Sequence, residues 1–194
     1  MRPILTIVDD FLDNPDEIRY DVLRQGFTDE FFEGTKYEDV NILTRPPEIH
    51  DKLEQLFGGP IQMQVQAFRL NRANSQLHSL VHADNSCASL AGVLYLNLPD
   101  DCRGGTAFWR HRATGLDRQP TQQELDHFGY TIEEFCAERN DRDAWERLMV
   151  CPMRYNRLVV YPTVQFHSRW PWEAFGDDPE HARLIGAFFF DVLK

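Results

Sequence analysis

The sequence predicts a mainly β single domain, a jelly roll or sandwich flanked by helices, with a helical insertion late in the chain. Three observations predict it. Residues 61–67, IQMQVQA, alternate apolar and polar side chains with a period of two, the signature of a half-buried strand. Four further runs, AGVLYLNL (91–98), GTAFW (105–109), RLVVYPTV (157–164) and RLIGAFFFD (183–191), are rich in aliphatic and aromatic residues and bounded by Gly, Pro, Asn and Asp. Between 112 and 155 that pattern gives way to a series of helix-start signals. No repeat, low-complexity tract or linker divides residues 1–194, so one domain is expected.

Taken in order, residues 4–8 form a short apolar strand that stops at Asp9 and Asp10. Asn14-Pro15-Asp16-Glu17 then opens a helix. Asn14 suits the cap, Pro15 suits the first turn because its missing N–H costs nothing there, and the two acids face the positive end of the helix dipole. Gly26 is its expected stop. Pro47 begins a second helix that carries Ile49, Leu53, Leu56 and Phe57 on one face and ends at Gly58-Gly59. The strands follow. Within 112–155, Thr121 with Glu124, Thr131 with Glu134 and Asn140 with Asp143 stand at capping-box spacing, which predicts two or three short helices. An excursion of this length in a compact domain is often a lid.

Apolar residues make up 42% of the chain and charged residues 26%, a composition that buries a core. Twenty basic residues against 31 acidic ones leave a formal charge of −11. That argues against nucleic acid or an anionic membrane surface as partner. No signal peptide is read ahead of Asp9-Asp10 and no apolar run approaches bilayer length, so a soluble, cytoplasmic protein is expected. Cys87, Cys102, Cys136 and Cys151 show no CxxC spacing and read as reduced thiols. Cys87 is close enough to Asp84 in sequence to be watched as a pocket residue.

The chemistry concentrates in HSLVHADNS, residues 78–86. His78 and His82 stand at i, i+4, as on a zinc-binding helix. Helical zinc proteases, however, place a glutamate beside the first histidine, where this chain has Ser79, and the surrounding residues lack a long 3.6 periodicity. His82 and Asp84 stand at i, i+2, on one face of a strand. An imidazole and a carboxylate on one face make two-thirds of a two-histidine, one-carboxylate triad, which covers one face of an octahedral metal and leaves the rest open. His167, at the end of the β run YPTVQFH, is the candidate third ligand.

The ordered set of pieces is similar to the Fe(II)- and 2-oxoglutarate-dependent dioxygenases, in particular their prolyl-hydroxylase-like branch. It runs from a strand at 61–70 through HAD (82–84), GVLYLN (92–97), RGGTAFW (103–109) and RLVVYPTVQFH (157–167) to RLIGAFFFD (183–191); the opening ILTIVDDFLDNPDEIR resembles the first strand and helix of such enzymes. The resemblance covers most of the chain and leaves 112–155 outside it. It implies a double-stranded β-helix, with His82, Asp84 and His167 as iron ligands and O2 and 2-oxoglutarate as cosubstrates. Arg183 would grip the distal carboxylate of 2-oxoglutarate through two parallel bonds, assisted by the Tyr95 hydroxyl. Oxidative decarboxylation to succinate and CO2 would be coupled to oxidation of the substrate. Asp84 favours hydroxylation over halogenation, because related halogenases put a small residue there.

The sequence departs from that pattern in places. The basic residue commonly lies nearer the last histidine, the Ser or Thr often found two positions after it is Ile185 here, and glycine alignment would put His181 in the basic slot. Asn85 is a further polar candidate beside the metal, with turn formation as its other role. Trp109, Arg110 and His111, and Trp170, Trp172 and Phe175, are either a pocket mouth or packing. An aromatic entrance favours a small molecule, an amino acid or a peptide side chain as substrate. Two other readings stand beside the oxygenase: a non-catalytic binding module, and a cupin-like metal site that does not use 2-oxoglutarate.

Overall fold

Strand parity sorts the apolar side chains into stacked layers, and those layers position everything else. The computed structural model describes residues 5–32, 35–75, 79–84 and 88–193. Ten strands form two antiparallel sheets packed as a jelly roll: β1 (Thr6–Val8), β2 (Thr28–Phe32), β3 (Thr35–Asn41), β4 (Ile61–Asn71), β5 (Leu90–Tyr95), β6 (Gly105–His111), β7 (Trp145–Pro152), β8 (Leu158–Pro162), β9 (His167–Trp170) and β10 (Arg183–Val192). The major sheet has the order β1-β8-β5-β10-β4-β3-β2, and the minor sheet β7-β6-β9.

Along β10 the even-numbered residues Leu184, Phe188 and Phe190 face outward, with Leu94, Leu158 and Val160 from the neighbouring strands. Helices α1 (Pro15–Gln25) and α2 (Pro47–Phe57) cover that face with Ile18, Val22, Ile49 and Leu53. Each such side chain taken fully from water contributes about 1.5–3 kcal/mol, so this layer fixes the helices to the sheet. The odd-numbered face, with Ile185 beside Val93, Tyr95, Val159 and Tyr161, meets Phe108 and Cys151 of the minor sheet. The far side of the minor sheet carries Ala107 and Trp109 under the insertion, whose helices α3 (Gln122–Phe128) and α4 (Ile132–Ala137) supply Leu125 and Phe135.

The signals for α2, α3 and α4 act as the sequence predicts, while two others do not. Helix α2 has the expected bounds, and Gly58 closes it at φ 71°. Thr121 with Glu124 and Thr131 with Glu134 form complete capping boxes. Asn14 makes no side-chain cap bond, so α1 starts on Pro15 and its acids alone. Asn140 caps no helix; the Asp141 side chain accepts the Asp143 N–H at the head of a 3₁₀ turn, Arg142–Ala144.

Three differences from the sequence reading have physical causes. The stretch read as wholly helical ends in β7, so only its first part is an inserted helical unit. The hairpin β2–β3 lies at a sheet edge, where polar side chains such as Asp29, Glu30, Lys36 and Glu38 are tolerated and hide the strands. In β4 the register slips between Phe189 and Phe190, skipping Gln64. The extra residue turns Ile61 and Met63 toward the helices, while Val65, Ala67 and Arg69 face the inter-sheet space opposite Phe189, Ala187 and Ile185.

At the start of β6 the strands approach so closely that only glycine fits: Gly104 has φ 66°, and a Cβ there would lie 1.8 Å from the Trp170 carbonyl oxygen. Cys102, Cys136 and Cys151 are free thiols, and Cys87 falls outside the described residues. Among the described residues no helix is long and apolar enough to cross a membrane.

Candidate metal centre

The segment 79–84 is stitched to the minor sheet by its backbone. The His82 N–H donates to the His167 carbonyl (3.1 Å), the His167 N–H donates back to the His82 carbonyl (2.8 Å), and the Asp84 N–H donates to the Thr163 carbonyl (2.8 Å). Val81 and Ala83 point into the outer core with Trp109 and Phe166. Parity then turns His82 and Asp84 the other way, and His167 joins them, its ring 4.4 Å from that of His82 and 4.6 Å from that of Tyr161.

Donor atoms of His82, Asp84 and His167 all lie within 4.8 Å of one another. Nε2 of His167 is 3.4 Å from Asp84 Oδ2, and Nε2 of His82 is 3.9 Å from Asp84 Oδ1. Adjacent ligands about 2.1 Å from a metal stand about 3 Å apart, so small side-chain movements would close the site. The His167 Nδ1–H donates to the Gln165 carbonyl (2.9 Å), which leaves the Nε2 lone pair for a ligand. Burial pushes the Asp84 carboxyl up from its ordinary pKa, offset in part by His167 and then Arg69. Two imidazoles and one half-buried carboxylate, one of the rings held in the ligating tautomer, fit a divalent transition metal.

Arg183 and Tyr95 also come together. Arg183 is 5% exposed, donates from Nη1 to Asn71 Oδ1 (3.1 Å) and lies 5.7 Å from the centre of the Tyr95 ring. Burial holds its pKa below the usual guanidinium value and raises that of the Tyr95 phenol to about 12. The Tyr95 hydroxyl is 2.7 Å from Thr106 Oγ1. Ile185 pairs with Tyr95 across β10 and β5, so a hydroxyl stands near the position where the family pattern has Ser or Thr. His181 lies before β10, with its side chain 60% exposed and hydrogen-bonded to Asp178 (2.8 Å).

Of the other sequence candidates, His78 and Asn85 fall outside the described residues. Trp109 and Trp172 stack at 5.1 Å in the outer core, behind the bridged segment that carries His82, and Trp170 packs edge-on against both. Phe175 packs against the inter-sheet core, under the guanidinium of Arg103. Arg110 is exposed and paired with Glu146. His111 is fully buried between Thr114 Oγ1 (3.0 Å) and Glu138 Oε2 (2.5 Å) and ringed by Tyr130, Phe135 and Trp145. It fastens the insertion to β6.

Sequence reasoning missed Arg69 and Arg169. Both carried a readable signal: Arg69 continues the inward parity of Val65 and Ala67, and Arg169 shares a strand face with His167, two residues earlier.

The fold has solved relatives. The non-heme alpha ketoglutarate dependent epimerase SnoN from nogalamycin biosynthesis matches at a TM-score of 0.56 and 15% identity, over 96% of this chain and 77% of that one. The non-heme alpha ketoglutarate dependent carbocyclase SnoK from the same biosynthesis matches at 0.54 and 16%, over 96% and 78%. EctD from S. alaskensis with bound Fe matches at 0.55 and 11%, over 97% and 72%. At these identities the likeness shows the jelly-roll fold. No curated protein matches the sequence. A family model does match, over residues 2–190, and the chain accordingly belongs to the family of unknown function DUF6445.

Proposed function

We propose that this chain is an Fe(II)- and 2-oxoglutarate-dependent oxygenase of the prolyl-hydroxylase-like pattern, hydroxylating a small molecule, an amino acid or a peptide side chain. The observation that carries the reading is the convergence of His82, Asp84 and His167 from two backbone segments onto one point. In this reading the three hold iron, which when bound supplies oxygen activation coupled to conversion of 2-oxoglutarate into succinate and CO2.

The protein's own part is positioning. Arg183 takes the distal carboxylate of 2-oxoglutarate, and the protonated Tyr95 hydroxyl, held by Thr106, donates to it. The Arg183 Nε has no hydrogen-bond partner among the described residues, as a donor kept for a ligand would. The Gln165 carbonyl keeps His167 in the ligating tautomer. The insertion, read from sequence as a lid, fits better as a buttress: the Arg139 carbonyl accepts the Val81 N–H (3.1 Å) and Asn140 Oδ1 accepts the Leu80 N–H (3.0 Å), bracing the segment beside His82. The names of two fold relatives, an epimerase and a carbocyclase, favour a second outcome at the same site, hydrogen removal without hydroxyl delivery.

The test is anaerobic titration of the apo protein with Fe(II) and 2-oxoglutarate, following the weak visible charge-transfer absorption of the chelate. The band should form in the wild type and be lost in His82→Ala and His167→Ala. Fe(II) binding with no band would sink the cosubstrate claim and bring the cupin-like reading forward.

A further inference from the structure

Three guanidiniums, from Arg69, Arg169 and Arg183, come together in the inter-sheet space, with the half-buried Asp84 at its edge. Parity sets this up: Arg183 and Asn71 pair across β10 and β4, Ile185 pairs with Arg69, and Arg169 pairs with Thr106, whose hydroxyl meets that of Tyr95. None of the three makes a salt bridge among the described residues. Arg183 has only neutral partners among the described residues, Asn71 and the Tyr95 hydroxyl. Arg169 donates to the carbonyls of Trp172 (2.6 Å) and Ser75 (3.2 Å). Glu173 lies near Arg169 but is exposed and paired with Arg142. Arg69 makes no hydrogen bond to a described residue; its guanidinium lies 4.9 Å from the centre of the Tyr37 ring, and its buried Nε has no partner.

Confining cations this way is costly, and proteins keep such groups where a ligand completes them. Loading the site does not relieve that cost, because a ferrous dication and a 2-oxoglutarate dianion cancel. Arg183 suffices for the distal carboxylate, so Arg69 and Arg169 remain without an ion pair among the described residues. Arg69 stands on β4 opposite Ile185, its unpartnered Nε in the inter-sheet space that His167 also faces beside Tyr161. A group held there sits beside the reacting centre.

We propose that Arg69, backed by Arg169, seats an oxyanion of the substrate, so that the enzyme acts on an acid carrying a carboxylate or phosphate group. This rests on the oxygenase reading above and narrows its substrate class. Guanidinium forks match both oxyanions, and neutral molecules gain nothing from them.

The experiment uses wild type, Arg69→Met and Arg69→Lys, each loaded anaerobically with Fe(II). 2-Oxoglutarate is titrated first, by its charge-transfer band. Benzoate, inorganic phosphate and neutral benzamide are then titrated calorimetrically into the 2-oxoglutarate-saturated proteins. The expected result is binding of benzoate or phosphate, but not benzamide, to the loaded wild type. Arg69→Met should weaken it by about tenfold or more and Arg69→Lys by less, with 2-oxoglutarate affinity changed by no more than about twofold. The thermal midpoint of apo Arg69→Met should not fall, whereas a purely structural arginine would lower it.

The proposal is overturned if neither anion binds the loaded wild type, if benzamide binds as well, or if Arg69→Met binds the anion normally. It is equally overturned if Arg69→Met loses 2-oxoglutarate itself, because Arg69 then belongs to the cosubstrate. Absence of the band in the wild type is a different failure: it removes the oxygenase reading, and the substrate class with it.

Discussion

Replacing Arg183 by methionine should change two properties in opposite directions. Methionine keeps much of the aliphatic volume and removes the charge. In the apo protein, Asn71 Oδ1 loses its one donor from this side chain, at a cost of about 1–3 kcal/mol. Against that stands the relief of a guanidinium only 5% exposed and with no ion pair among the described residues, a burial penalty of several kcal/mol. Apo stability should therefore hold or rise. In the loaded protein, two charge-assisted hydrogen bonds to a carboxylate disappear, each worth about 1.5–3 kcal/mol. A loss of about 3–6 kcal/mol weakens 2-oxoglutarate by about two to four orders of magnitude. Thermal melts of the apo protein and anaerobic 2-oxoglutarate titrations measure the two arms, with Arg183→Lys expected between because it keeps charge without the fork. A 2-oxoglutarate affinity within about threefold of wild type, or a melting temperature well below it, would refute the assignment.

Two further perturbations probe other parts of the structure. Burial raises the folded pKa of Asp84 above its unfolded value, so the apo protein is penalised at neutral pH, and the penalty shrinks as pH falls from the folded toward the unfolded value. Asp84→Asn should thus raise the apo melting temperature at pH 7, lose that advantage in acid and abolish Fe(II) binding, as melts across pH and metal titration would check; a lower melting temperature at pH 7 would contradict it. His111→Ala removes a fully buried ring and takes one hydrogen-bond partner each from Glu138 and Thr114, costing about 2–4 kcal/mol. Limited proteolysis should then cut first within 112–144, and cleavage elsewhere would argue against His111 as the fastening of the insertion.

Local chemistry decided what was legible beforehand. Helix α2 could be read because Pro47, the Ile49–Leu53 stripe and Gly58 agree with one another. The metal-ligand candidates could be read because HxD needs only strand parity to bring its side chains together. The hairpin β2–β3 could not, since TDEFF and TKYEDVN are strands by virtue of the sheet edge they pair with. Strand β7 lay behind capping signals that end before it. The bulge at Gln64 sits inside a regular alternation and is forced by the match to β10, which no local window contains. The arginines were passed over for a related reason: a cation in a strand reads as solvent-facing until the partner strand shows which side is inward.

The two backbone hydrogen bonds between His82 and His167 give the centre a kinetic property. The imidazoles are spaced by main chain, not by the packing of long side chains, so separating them requires breaking both bonds and lifting segment 79–84 from β9. An ion held by both rings would act as a latch on that opening, and its escape would be paced by local unfolding rather than by ligand exchange alone. Amide hydrogen exchange at residues 82 and 167 would then slow when metal binds, so two backbone positions would report the residence time of an ion that makes no contact with either amide.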